Sequence, residues 1–220
     1  MAVKLFILGL PGSGKSTISR YIVEYVKKQR GSWATSRFND YTILWEMFQA
    51  EPDSGKFRST DFNGFDVLDL STCDTALKEM EGRVKELIHA LNTSALISIE
   101  FSRNDYNHAF AQFNRDFLQD GYFLFLDATI DICKQRIIDR VAHPKTEDDH
   151  HVSEYIFRSY YNKDSKETIF SSLTNDYNLP KNRIMLLNNN GSEQDFEPSI
   201  NRFIDFIFEQ ASGNVFATSP

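Results

Sequence analysis

Near the start of the chain, Gly9-Leu10-Pro11-Gly12-Ser13-Gly14-Lys15-Ser16, followed by Thr17, has the spacing Gly-x-x-x-x-Gly-Lys-Ser/Thr. Glycines at those places let backbone N–H groups curl round a phosphate with no Cβ in the way. A helix starting at Lys15 adds the positive end of its dipole. The Lys15 ammonium would bridge the β- and γ-phosphates, and the Ser16 hydroxyl would ligate Mg2+. The expected ligand is a nucleoside triphosphate, ATP, carried with Mg2+, and Gly9, Pro11, Gly12, Ser13, Gly14, Lys15, Ser16 and Thr17 would hold it.

Other residues suit the remaining parts of such chemistry. Asp40 follows a short apolar run, where a carboxylate could take a hydrogen bond or a proton from an acceptor hydroxyl; it suits a helix N-cap equally well. Glu100 ends another apolar run and could order Mg2+ or act as a base. Arg136 and Arg140 stand four residues apart, on one face of a helix, with Arg158 beyond them. Phosphoryl transfer is mostly positioning and charge neutralisation, and guanidinium forks do both. Phe65 and Asp66 would suit a base or sugar, while Arg58 and Arg103 would suit a phosphate. Asn189 lies in an Asn-rich turn after the last apolar run.

These residues need a scaffold, and the hydrophobic pattern supplies one. Apolar runs at 3–8, 33–38, 95–99, 122–126 and 183–187 read as strands. Between and after them, segments 15–28, 41–50, 74–91, 106–118, 130–141, 152–161, 166–177 and 195–209 carry helical spacing. Residues 51–70, broken by Pro52, Gly55 and Gly64, read as irregular, and 211–220 as a loose tail. Strands alternating with helices imply a parallel sheet covered on both faces, whose ligands bind beyond the strands' carboxyl ends. Gly9, Asp40, Glu100, Asp127 and Asn188 all fall at those ends.

Composition narrows the partners. The chain has 220 residues, with 24 Lys plus Arg against 31 Asp plus Glu, a net charge of −7, which argues against extended contact with nucleic acid. Two cysteines, Cys73 and Cys133, build no disulfide framework and suit a reducing compartment. The apolar start is too short to span a bilayer, so a cytoplasmic protein without membrane contact is expected. Glu147 to His151 does not converge as a metal site, because adjacent histidines point apart, and reads as a solvated tip. Asp61-Phe62-Asn63-Gly64 and Asn162-Lys163-Asp164 look like fragments of guanine-nucleotide motifs but lack the preceding strand and the spacer.

The loop Leu10-Pro11-Gly12-Ser13-Gly14-Lys15-Ser16-Thr17 resembles that of the adenylate-kinase-like group of nucleotide and small-molecule kinases. Arg136, Arg140, the acidic pair Asp148-Asp149 and Arg158 resemble the group's lid. The resemblance implies an α/β P-loop NTPase three-layer sandwich with a five-stranded parallel sheet of order 2-3-1-4-5. It also implies one domain over 1–210, an acceptor cover at 41–70 and a lid at 143–152. Arg136 would stack on the base, Arg140 and Arg158 would reach the transferring phosphate, and Asn189 would meet the adenine ring. The acceptor side departs from adenylate kinases: where they carry an Asp-Gly element leading to Pro-Arg, this chain has Glu100-Phe101-Ser102-Arg103. Glu100 and Arg103 are loosely similar to the Glu-Arg-Ser element of deoxynucleoside kinases. The expected activity is transfer of the ATP γ-phosphate to a small-molecule acceptor, and the alternative is an NTPase or nucleotide-dependent switch acting through a partner.

Overall fold

A computed structural model describes residues 1–61, 64–144, 150–161, 166–191 and 195–216. Its centre is β1 (Ala2–Gly9), buried from Val3 to Gly9 and lying between two further buried strands, β5 (Ala95–Phe101) and β6 (Tyr122–Asp127). With both faces covered, such strands read as unbroken apolar runs instead of alternating ones. The sheet is completed by β2 (Ala34–Asn39) beside β5 and β7 (Ile184–Asn188) beside β6, all pairs parallel. Counting the strands of this sheet alone, the order β2-β5-β1-β6-β7 is the expected 2-3-1-4-5.

Alternation along β1 divides the core. Phe6 and Leu8 face one side with Ile97, Ile99, Phe101 and Phe123, under α2 (Asp40–Ala50), α3 (Ser71–Ala90), α4 (Tyr106–Phe110) and α5 (Arg115–Gln119). Leu5 and Ile7 face the other with Leu124 and Leu126, under α1 (Lys15–Gln29) and α9 (Glu197–Phe216). The Phe6 ring stacks on Phe123 at 4.6 Å and meets Phe113 and Phe117 edge-on at 5.9 Å. The chain's many phenylalanines are thus core, as their spacing suggests.

Three elements differ from the pattern in the sequence. The single helix expected over 106–118 is two short ones. Asp105 caps α4 by accepting from His108 N at 3.0 Å, and Asn114 is extended (ψ 139°) before α5 begins. Glu81 of α3, buried, fixes that break by accepting Asn114 N at 2.8 Å. Replacing Glu81 with Ala strands that amide and is expected to cost about 1–3 kcal/mol in urea unfolding. The segment 51–70 is not irregular throughout, since β3 (Phe57–Thr60) and β4 (Gly64–Val67) pair antiparallel with Phe57 and Phe65 buried. Finally, α9 runs to Phe216, past the expected end at Glu209, because Ala211 is still buried against the sheet's cover.

The remaining helices are α6 (Ile130–Ala142), α7 (Glu154–Ser159) and α8 (Lys166–Asn175). Of the lid, Lys145 to Asp149 lie outside the described residues, as do Phe62-Asn63 and Asn162 to Ser165. Among the described residues no helix is long and apolar enough to cross a membrane.

Candidate functional site

The segment between β1 and α1 closes into a loop because Gly9, Gly12 and Gly14 take φ values of 142°, 80° and 98°. Gly14 is the left-handed residue ahead of α1, so the helix points its first amide groups into the loop. Gly12 lies flush against the start of α6, where any Cβ would overlap the Cys133 carbonyl, so a larger residue is excluded twice. Asn189, buried at the end of β7, donates from Nδ2 to Ser13 O at 2.7 Å.

Tyr106 supports the loop from the other side. Its hydroxyl accepts from Gly9 N at 2.8 Å and lies 3.3 Å from Gly9 O, and burial pushes that hydroxyl's pKa well up, so it stays a neutral donor and acceptor. Tyr106→Phe keeps the packed ring but takes the hydroxyl from Gly9 N, while Gly9 O keeps the Lys15 ammonium. The expected result is a loss of about 1–2 kcal/mol of stability with a several-fold weaker ATP affinity, read by thermal melts and calorimetry.

Lys15 Nζ donates to Gly9 O at 3.1 Å, Leu10 O at 2.9 Å and Ser102 Oγ at 2.6 Å. Burial pulls its pKa from 10.5 to about 8, against the opposing pull of Asp40 and Glu100. A cation so poorly hydrated gains strongly from an arriving polyphosphate.

Ser16 Oγ lies 3.4 Å from Glu100 Oε2, and Glu100 Oε1 accepts from Arg37 Nε at 3.1 Å. Glu100 is 2% exposed, and the register that sets Asn39 beside Glu100 and Arg37 beside Ser98 makes the contact possible. Two hard oxygen donors on one wall, with phosphate oxygens to complete the shell, fit the way Mg2+ is usually held. Among the described residues no group of three or more His, Cys, Asp or Glu could form an all-protein metal cage. Glu100 thus faces the Ser16 hydroxyl on one side and the Arg37 guanidinium on the other.

The loop opens into a cavity of about 500 Å³. Its far end is walled by Asp40, Tyr41 and Leu44 of α2, Phe65 and Asp66 of β4, and Arg103 after β5. Asp40 does not cap α2. Asn39 does, accepting from Thr42 N at 2.8 Å, and Asp40 is left to form a short ion pair with Arg103 Nη1. Arg103, 5% exposed, also donates from Nη2 to Cys73 O at 3.0 Å.

The lid residues divide. Arg136 lines the cavity, donates from Nη2 to Gly191 O at 3.1 Å and keeps Nη1 buried near Gly14 without a partner among the described residues. Arg140 also lines the cavity and donates to His150 O at 2.7 Å. Arg158 is not brought there: its side chain is 79% exposed and paired with Glu154 at 2.8 Å, one turn back on α7, because the helix turns that face outward. Arg58 likewise stays off the cavity wall, holding Asp66 Oδ2 at 2.6 Å from outside. His150, expected on a solvated tip, instead stacks on Tyr41 at 3.6 Å, so it lies over that wall of the cavity.

A five-stranded parallel sheet in this order, with a glycine loop between its central strand and first helix, is the P-loop NTPase fold. Solved structures agree. Kti12 from Chaetomium thermophilum in complex with ADP-AlF3 superposes with a TM-score of 0.53 at 16% identity, over 93% of this chain and 98% of that one. APE1195 gives 0.52 at 14% identity, over 94% and 96%. No family model and no curated protein matches the chain.

Proposed function

We propose that the protein binds MgATP on the glycine loop and transfers the γ-phosphate to a hydroxyl of a small-molecule acceptor. The observation that carries this reading is continuity: Lys15, Ser16, Glu100, Arg136 and Arg140 line the same cavity as the Asp40–Arg103 pair. Bound Mg2+ would neutralise charge between the β- and γ-phosphates, with Ser16 and Glu100 holding it. Lys15 and Arg140 draw charge from the transferring group, Arg136 covers the base, and Asp40 takes the hydrogen bond of the attacking hydroxyl. Arg103 holds Asp40 in place. The lid end over Tyr41 keeps water from competing as acceptor.

A pure NTPase or switch would not need the Asp40–Arg103 pair, which lines the same cavity as the glycine loop. Incubation with radiolabelled ATP and a metabolite mixture tests the choice, and label in an organic phosphate is the expected result. Label only in inorganic phosphate, or calorimetry showing tighter GTP than ATP binding, would overturn the kinase reading.

A further inference from the structure

The acceptor end holds a buried polar atom with nothing yet to bind. Asp66 is 1% exposed and lines the cavity; Arg58 satisfies its Oδ2, while Oδ1 is buried with no partner among the described residues. A buried carboxylate oxygen without a donor costs stability, and such a cost persists where an arriving ligand supplies the donor. Across the cavity Arg103 Nε is also buried and without a partner among the described residues, while Arg103 Nη1 holds Asp40.

The cations of this end are therefore largely committed, with Arg103 Nε the exception. Arg58 is half-exposed, bound to Asp66 and stacked over the Tyr155 ring at 4.7 Å, outside the cavity. An acceptor that brought a phosphate of its own would meet Asp40 and Asp66 with a single guanidinium beside them, Arg103, whose Nη1 and Nη2 are engaged and which has only Nε to offer, a predominantly like-charge arrangement that disfavours it. What remains is a flat apolar wall of Tyr41, Leu44, Phe65 and Val67, in which Tyr41 and Phe65 lie near-parallel at 5.3 Å. The Tyr41 ring already carries one planar nitrogen heterocycle, the imidazole of His150, at 6°.

We propose that the acceptor is an unphosphorylated nucleoside, an inference that rests on the kinase reading. Its planar base takes the place on the Tyr41 ring that the His150 imidazole holds, and donates an N–H to Asp66 Oδ1. Its sugar hydroxyl donates to Asp40 and accepts from Arg103 Nε. In the transfer, the hydroxyl oxygen forms a bond to Pγ as the bond from Pγ to the β,γ-bridging oxygen breaks. The hydroxyl proton passes to Asp40 and on to solvent, and ADP and the nucleoside monophosphate leave.

The test uses the full chain with MgATP and two sets of probes: cytidine, adenosine and thymidine, and their 5′-monophosphates. Nucleosides are expected as acceptors, with monophosphates at least tenfold poorer in kcat/KM. Asp66→Asn is expected to raise nucleoside KM at least tenfold, leaving kcat within twofold and the Kd for MgATP unchanged by calorimetry. Preference for monophosphates, absence of transfer to every nucleoside while MgATP binds, or an Asp66→Asn variant with unchanged nucleoside KM would overturn the inference. Where no nucleoside is labelled, label passing to another acceptor of the metabolite mixture overturns this inference alone, whereas failure to bind MgATP, or label only in inorganic phosphate, brings down the kinase reading itself, so the two failures are separable. The wild-type panel decides the matter even if the variant does not fold.

Discussion

Lys15→Ala lowers the phosphoryl-transfer rate by about a thousandfold, the scale of losing one preorganised charge at a transition state. The ammonium already sits in the mouth of the loop, held by two main-chain carbonyls and Ser102, so little of its charge has to be moved when phosphates arrive. Its titration gives a second readout. With a folded-state pKa of about 8 against 10.5, the unfolded chain binds the extra proton between those values. Stability therefore carries its full penalty below pH 8 and rises as pH climbs from there toward 10.5. Lys15→Ala abolishes that rise. In the native protein, ATP affinity falls by up to about tenfold per pH unit above 8, because binding must then restore the proton. A variant retaining full transfer and the same alkaline profile would show that another cation does this work.

Asp40→Asn is the second large effect, a fall in kcat of about 10²–10⁴-fold with MgATP affinity unchanged, as expected of a group that receives the acceptor's hydrogen bond. Charge removal here has two consequences that must be separated. Arg103 is buried, and taking away its partner costs about 3–5 kcal/mol, so the single variant loses stability as well as rate. The double variant Asp40→Asn/Arg103→Met removes the stranded charge and is expected to recover most of the stability in urea melts. Its rate stays low. If the rate returned with the stability, Asp40 would be a structural partner of Arg103 and nothing more.

What could be read from residues alone follows a physical division. The loop was legible because its glycines are demanded by φ and by close approach at Cys133, constraints that act locally. The parallel sheet was legible through the strand–helix alternation, since parallel strands must be reached by crossovers, while its order came only with the resemblance of the glycine loop and lid residues to a known group. Arg37 was not, although a charged residue within a strand was a signal: its meeting with Glu100 depends on the register of two strands 63 residues apart in sequence. Tyr106 was hidden among many core aromatics, and only the tertiary fold sets its hydroxyl on Gly9. Arg58 and Arg158 carry the right charge on the wrong side, because chain spacing fixes a helix face or a strand side but not which surface that side meets. The β3–β4 hairpin escaped because four-residue strands carry too little alternation to stand out.

The bond from Asn189 to Ser13 joins positions 176 residues apart. During synthesis the glycine motif is made well before its strut, which follows β7, the partner strand of β6. A ribosome-bound chain stopped before β7 thus displays the whole motif without the geometry that makes it a phosphate site. The loop's full support is in place only once β7 and Asn189 have been made.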